Sequence, residues 1–370
     1  MFYSLLSTSS LKYNHYSVNS IENDENIMKI AMIGCGKQAP KHISGLLGSN
    51  QVDEVFVADR DHDVALKLGR SYETGVTAMP LIDIFENDKV DGVVIATPTP
   101  SHFELCKQAL LNKKPFLVEK PLSSTYEEAV ELARLSKLTT VPGMVGFIYR
   151  FAPVFDKINE LLGDAKQNVL GKSQHAVFRI AGRGSDQSWK HRESKGGGAI
   201  SEMMVHMIDL AVWYFGNAVK IQLHDAAIIR KTRNIKDEAV DCDAEDWVVA
   251  QLTMENGTRV LLQADMTSPV FRQCIEIDGK NGILEGSIQG TFQNAITLFE
   301  PRGEFLKGHQ VLNVKPGNFY LKQHETFLNM LKTGDAPDRC TLDEAVEVMR
   351  IQMKLKNQIE MKKGFQSGDL

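Results

Sequence analysis

Cysteine is scarce and unpatterned in this 370-residue chain: five residues, at 35, 106, 242, 274 and 340, with no CxxC pair. That excludes a disulfide framework and a structural zinc site, and it fits a reducing, cytoplasmic setting. Long hydrophobic runs are missing too. None approaches the about 18 apolar residues that a membrane-spanning helix needs. Positive charge is not in excess, with 42 Lys and Arg against 47 Asp and Glu and a net charge of −5. The basic clusters 190-KHR-192 and 230-RKTR-233 are short and separate, so neither nucleic acid nor an anionic membrane is an expected partner. Residues 1–27 are rich in Ser, Asn and Tyr and lack the basic start and apolar middle of a secretion signal, so they are expected to form a flexible extension.

What is present is an ordinary globular composition, 43% hydrophobic and 24% charged, long enough for two or three domains. The stretch 29-KIAMIGCGKQAPKHISGLL-47 runs from an apolar strand through Gly34 and Gly36 into a helical pattern. Glycines there permit a tight turn and close approach of backbone to a pyrophosphate, favoured by the helix N-terminus. A second strand, 54-EVFVAD-59, ends in Asp59, about the 20 residues further on where an acid grips the adenosine ribose. A carboxylate at that point favours NAD, while Arg60 beside it leaves NADP possible. Strands and helices continue to alternate through 92-GVVIAT-97, 115-PFLVEK-120 and 143-GMVGF-147, which predicts a doubly wound parallel sheet with its ligand edge at the strand C-termini. Thr97, Pro98, Glu119 and Lys120 end strands along that edge.

A second pattern begins at 195-KGGGAISEMMVHMIDLAVWYFG-216, where three glycines open a mainly apolar helix. At about 100° per residue, Glu202, His206, Asp209 and Trp213 share one stripe. Ionisable groups on an oily helix call for either a partner or a use. Asp209 is read as structural and Trp213 as core. Glu202 and His206 at i,i+4 could share a cation, but no neighbouring set completes a metal site, and none is expected. Beyond about residue 174, segments such as 174-QHAVFRIA-181, 247-WVVAQLTM-254 and 259-RVLLQADM-266 alternate apolar and polar residues, as strands with one accessible face do.

With 33-IGCGKQAPKH-42, 95-IATPTPSH-102, 118-VEKP-121, 146-GFIYRF-151 and 196-GGGAISEMMVHMIDL-210 in view, the chain resembles the glucose–fructose oxidoreductase / inositol dehydrogenase / MocA family. The resemblance runs from about Lys29 into the C-terminal helices. It implies an α/β protein: an N-terminal Rossmann domain over 28–148, then a substrate-binding and oligomerisation α/β domain over 149–370 with a large open, mostly antiparallel sheet. It further implies a homodimer or homotetramer through that sheet, a nicotinamide cofactor and a sugar, cyclitol or nucleotide-sugar substrate. The cofactor-binding candidates are Gly34, Gly36, Lys37, Gln38, Asp59, Arg60, Thr97, Pro98, His102, Glu119 and Lys120. Family members carry D-x-G-x-H on the second-domain helix; here 202-EMMVH-206 sets Glu202 in the place of the acid and Met204 in that of the glycine.

The implied activity is hydride transfer between nicotinamide and a secondary alcohol or its ketone. Such a step needs a neutral base at the reacting oxygen and a positive group to stabilise developing charge. His206 suits the first role and Lys120 the second, with Glu202 orienting the ring or relaying the proton. Tyr149 and Arg150, after the last Rossmann strand, are candidates for substrate hydroxyls. Two other activities within the same family are an NAD-assisted glycosidase and a non-catalytic ligand-sensing regulator.

Overall fold

The computed structural model describes residues 27–163 and 168–367, so the extension expected over 1–27 lies, but for Ile27, outside the described residues. The first half alternates β1 (Met28–Ile33), α1 (Ala39–Leu47), β2 (Val52–Ala58), α2 (His62–Gly69), β3 (Val76–Ala78), β4 (Gly92–Ile95), α3 (His102–Leu111), β5 (Phe116–Glu119), α4 (Tyr126–Thr139) and β6 (Gly143–Gly146). The six strands pair in parallel in the order β3-β2-β1-β4-β5-β6. Both faces are covered, so β4, β1 beyond Lys29 and β5 before Glu119 read as apolar runs rather than alternations. The chain reverses direction across the sheet between β1 and β4, which opens a crevice at their C-terminal ends.

After α5 (Pro153–Leu162) come β7 (Ser173–Ala181), α6 (Val205–Phe215), β8 (Ala218–Ala227), β9 (Thr232–Ile235), β10 (Glu238–Asp241), β11 (Trp247–Met254), β12 (Arg259–Asp265), β13 (Arg272–Gly279), β14 (Gly282–Gly286), β15 (Ala295–Leu298) and β16 (Gly308–Val311). Eight of these strands form one sheet in the order β16-β15-β14-β13-β7-β12-β11-β8, with β7 and β12 parallel and the other pairs antiparallel. Strands β9 and β10 make a separate two-stranded ribbon. Burial alternates along β11 and β12, as it must when helices cover one face and leave the other open. Helices α5, α6 and α8 (Leu342–Ser367) supply that cover.

The α/β class, the parallel Rossmann sheet and the open mixed sheet thus match what the sequence implies. The short strands β3, β9, β10, β14, β15 and β16 were not among the segments its pattern marks. Each holds three to five residues, too few for a period-two alternation to stand out. The last helices cross back: α7 (Phe319–Thr333) packs on α1, and α8 packs on α4 as well as on α6. Parts of 149–370 therefore buttress the first sheet.

Candidate active site

The glycine turn follows β1 directly. Gly34 has φ +99°, and a Cβ there would stand 2.7 Å from the Ala96 carbonyl oxygen, so only glycine lets β1 and β4 splay this closely. A Cβ on Gly36 would meet nothing within 4 Å; that side of the turn is open. Gln38, the residue before α1, supplies no side-chain cap. Among the described residues, no protein group accepts from the amides of Gly36, Lys37 and Gln38. An open turn with free N–H groups at a helix N-terminus fits the pyrophosphate of a dinucleotide.

Asp59 closes the turn from β2. Its Oδ2 accepts from Cys35 N at 2.9 Å and its Oδ1 from Asp61 N at 3.1 Å, and each oxygen retains a lone pair for a further donor. Arg60 is exposed beside it. Two side chains expected at the cofactor reach across to the second half instead. Lys37 Nζ pairs with Asp186 at 2.6 Å, and Gln38 Oε1 accepts from the Tyr320 hydroxyl at 3.2 Å.

The strand-end loops are held by buried histidines. His102 was expected to contact the cofactor, but it is buried, with Nδ1 2.7 Å from the Pro121 carbonyl and Nε2 2.9 Å from that of Thr97. It ties the two loops together and does not face the crevice. Thr97 also accepts through Oγ1 from Ser101 at 2.7 Å, with Pro98 next along the loop. Glu119 receives His42 Nε2 at 3.0 Å, and His42 in turn meets His324 at 3.1 Å, joining β5, α1 and α7. Burial pushes the Glu119 carboxyl up, but its bond to His42 and the Lys120 charge outweigh this and hold it below the ordinary value.

Lys120, the next residue, is only 15% exposed, and its Nζ lies 3.9 Å from Glu202 Oε2. Glu202 is not on a continuous α-helix. Residues Ile200–Met204 form a π-turn that runs into α6 at Val205, so the uniform stripe expected from about 100° per residue is interrupted between Glu202 and His206. Glu245 starts this turn, accepting Ala199 N on its carbonyl at 2.8 Å and Ile200 N on its carboxylate at 3.0 Å. Met204, in place of the family's glycine, points into the core and is fully buried.

Lys190 completes the cluster, with Nζ 2.5 Å from Glu202 Oε2. In the sequence 190-KHR-192 stands out only as a short basic cluster. Gly198 N donates to the Lys190 carbonyl at 3.0 Å, and Gly197 leaves room for that carbonyl where a Cβ would collide. The triple glycine therefore folds Lys190 back onto the helix it opens. Position before such a run was the available signal. The other two residues diverge: His191 is buried with Nε2 2.9 Å from the Ser185 carbonyl, and Arg192 pairs with Asp243 at 3.7 Å.

The charges set protonation. Burial would raise the Glu202 carboxyl, but Lys120 and then Lys190 override it and keep it below the ordinary glutamate value. For His206 the three influences agree: burial, Lys120 and Lys190 all drive its pKa well below the usual histidine value. The ring is neutral. Tyr149 stacks on it with centroids 4.7 Å apart and planes at 28°, fixing its orientation. No protein group hydrogen-bonds either ring nitrogen among the described residues.

Arg150 requires a correction. Expected to meet substrate, it is fully buried and donates through Nε and Nη2 to Asp209 Oδ1 at 2.9 and 2.7 Å, and through Nη1 to Glu344. With its donors committed inside, it has no path to the cleft. Asp209 holds structure, as read from the sequence, and Trp213 packs against the core with Arg150 and Arg339 over its ring.

Residues 28–147 match the profile of an oxidoreductase family with an NAD-binding Rossmann fold, and residues 164–285 match the GFO/IDH/MocA C-terminal domain. The chain belongs to this family. It is an NAD-binding oxidoreductase of the dehydrogenase type. An uncharacterised oxidoreductase of Synechocystis sp. is 30% identical over 267 residues, covering 70% of this chain and 71% of that protein. Myo-inositol 2-dehydrogenase of Thermotoga maritima is 24% identical over 84% of this chain and 90% of its own. Among solved structures, an oxidoreductase from Agrobacterium radiobacter in complex with NAD+, L-tartaric acid and magnesium superposes with a TM-score of 0.76, at 17% identity over 89% of this chain and 95% of that one. That likeness is one of fold. Among the described residues, no helix is long and apolar enough to cross a membrane, and no group of His, Cys, Asp and Glu is arranged to hold a metal.

Proposed function

We propose that this family member oxidises a secondary alcohol of a sugar or cyclitol, or reduces the corresponding ketone, at the junction of Lys120, Glu202 and His206. The observation that carries the reading is convergence: an amine from the β5 loop and a carboxylate from the π-turn approach to 3.9 Å, beside a histidine whose pKa is lowered by burial first and then by the Lys120 and Lys190 charges. Bound nicotinamide supplies the hydride acceptor or donor. His206 takes the proton from the reacting hydroxyl in oxidation and returns it in reduction. Lys120 positions the reacting oxygen and stabilises its developing negative charge. Glu202, kept ionised by Lys120 and Lys190, orients Lys120 and accepts from a neighbouring substrate hydroxyl. Tyr149 holds the His206 ring face-on. The backbone at Gly34, Gly36, Lys37 and Gln38 cradles the pyrophosphate, Asp59 takes the adenosine ribose, which favours NAD over NADP, and Thr97, Pro98 and Glu119 shape the nicotinamide end.

The outer face of the large sheet supports self-association. Val177 and Leu261, paired across β7 and β12, are 40% and 36% exposed at its centre, and a second copy of the chain would cover them.

The test is a panel of free sugars, inositols, sugar phosphates and nucleotide-sugars offered with NAD and with NADP, read by nicotinamide absorbance. NADH formed from a polyol supports the reading. Tight NAD binding with no turnover of any panel member would replace it with the ligand-sensing one.

A further inference from the structure

Beside the reacting cluster lies a cavity of about 790 Å³, walled by the β4 and β5 loops and the start of α4 on one side and by the π-turn and α8 on the other. Glu202 belongs to both the cavity wall and the cluster. Lys190 spans the two, with Nζ 2.5 Å from Glu202 and 5.3 Å from the ring centroid of Trp189, which lines the cavity. Pro98 brings the nicotinamide end to the same wall, and a chamber of this size, at the upper end of the about 300–1,000 Å³ range of ligand pockets, has room beyond that ring and one sugar ring at Lys120.

Its chemistry selects among extensions. The indole of Trp189 is 36% exposed, and the remaining walls include Tyr126, Met349 and Met353. Lys195 and Lys356 line it together with Glu127 and Glu202, and Lys190 reaches it over Trp189. Lys356 is engaged with the Ser201 hydroxyl at 2.8 Å and Lys190 with Glu202, which leaves Lys195 at the rim. The N-terminus of α4, which could otherwise attract a phosphate, is capped by its own side chains. Thr125 accepts from Glu128 N at 3.2 Å, while Glu128 accepts from Ser124 N and Thr125 N at 3.0 and 3.1 Å. Acidic Glu127 and Glu128 then occupy its first turn. A diphosphate finds Lys195 alone uncommitted here. A neutral pyranose needs no counter-charge: its C–H face suits the part of the indole that Lys190 leaves exposed, and its hydroxyls can reach Ser124, Ser201 and Asn357.

We infer that this cavity is a glycosyl subsite, and that the substrate is a glycoside whose second, uncharged sugar ring sits between Trp189 and α8 while the first reacts at Lys120 and His206. The inference rests on the proposed reaction for its placement of the first ring.

The experiment pairs methyl glucosides, galactosides and mannosides with the disaccharides that carry the same reacting ring, and compares kcat/KM by NADH absorbance. The expected preference for the two-ring member is about tenfold, the scale of one aromatic stacking contact with its burial. Met353→Trp, and Asn357→Trp one turn along at the rim, should bring the ratio of the two efficiencies toward one. Should Met353→Trp fail to fold, the exposed Asn357 position still decides. A wild-type ratio near one, an unchanged ratio in a folded variant, or a nucleotide-sugar outperforming the disaccharide overturns the subsite and leaves the reaction standing. If no sugar yields NADH, the proposed reaction fails, and disaccharide titration of the NAD-saturated protein decides the subsite. Quenching of tryptophan emission that Trp189→Phe abolishes supports it; no binding overturns it.

Discussion

Lys120 Nζ and Glu202 Oε2 stand 3.9 Å apart although they arrive from separate halves of the chain, one on the loop after β5 and the other on the π-turn that leads into α6. Both side chains are mostly covered, at 15% and 14% exposure, so their attraction is weakly screened. Transition-state stabilisation at such a junction depends on the charges being fixed before the substrate arrives.

Replacing either partner of the reacting oxygen should therefore cost turnover rather than cofactor binding. Lys120→Met and His206→Ala are each expected to lower kcat by about 10²–10⁴-fold, the usual weight of a positioned acid–base group. NAD affinity, followed by quenching of protein fluorescence, should stay close to wild type. Near-normal kcat in both variants would remove these residues from the reaction.

Lys190 should be visible in the pH profile. Burial comes first among the causes that lower the His206 pKa, followed by Lys120 and Lys190. A nearby ammonium disfavours the imidazolium, so removing it makes protonation easier and raises the histidine pKa. In Lys190→Met the acidic limb of kcat/KM for the oxidation direction is expected to move to higher pH, because the base is lost to protonation sooner. A limb that stays in place would mean that His206 does not feel Lys190.

The Rossmann half was legible in the sequence because its signals are local and repeated: glycines after a strand, an acid ending the next, apolar runs of strand length. Glu202 and His206 were legible for the same reason, as polar residues in an apolar helix. Arg150 and Lys190 were not. Each is an ordinary basic residue whose meaning depends on what lies opposite. For Arg150 that is two carboxylates, Asp209 and Glu344, the second almost two hundred positions away. Lys190 is placed by a backbone fold that the glycines permit but do not announce. The π-turn escaped because its wider hydrogen-bonding pattern leaves no mark in residue type.

Cofactor preference provides a further check on β2. Asp59 already holds the glycine turn through Cys35 N, yet each oxygen can accept again. Asp59→Ala should remove both the grip on the ribose hydroxyls and the repulsion of a 2′-phosphate, moving the ratio of NADP to NAD affinity upward. Equilibrium titration with each dinucleotide measures this. A constant ratio would limit Asp59 to shaping the turn.

The strongest effect on stability is expected at Arg150, away from the chemistry. Burial works against its charge, and Asp209, with Glu344, more than compensates. Removing the guanidinium in Arg150→Ala strands Asp209 without its counter-ion. Breaking a buried pair from one side costs about 3–5 kcal/mol, measurable as a lowered midpoint in chemical denaturation. Burial already pushes the Asp209 carboxyl upward and Arg150 opposes that rise, so in the variant its folded-state pKa lies far above the unfolded value. A carboxyl of that kind favours the folded state while protonated and loses that contribution as pH rises through its folded pKa. The deficit of Arg150→Ala against wild type should consequently be smallest at mildly acidic pH and grow toward alkaline pH. A deficit independent of pH, or a large rise in KM with stability unchanged, would return Arg150 to the substrate.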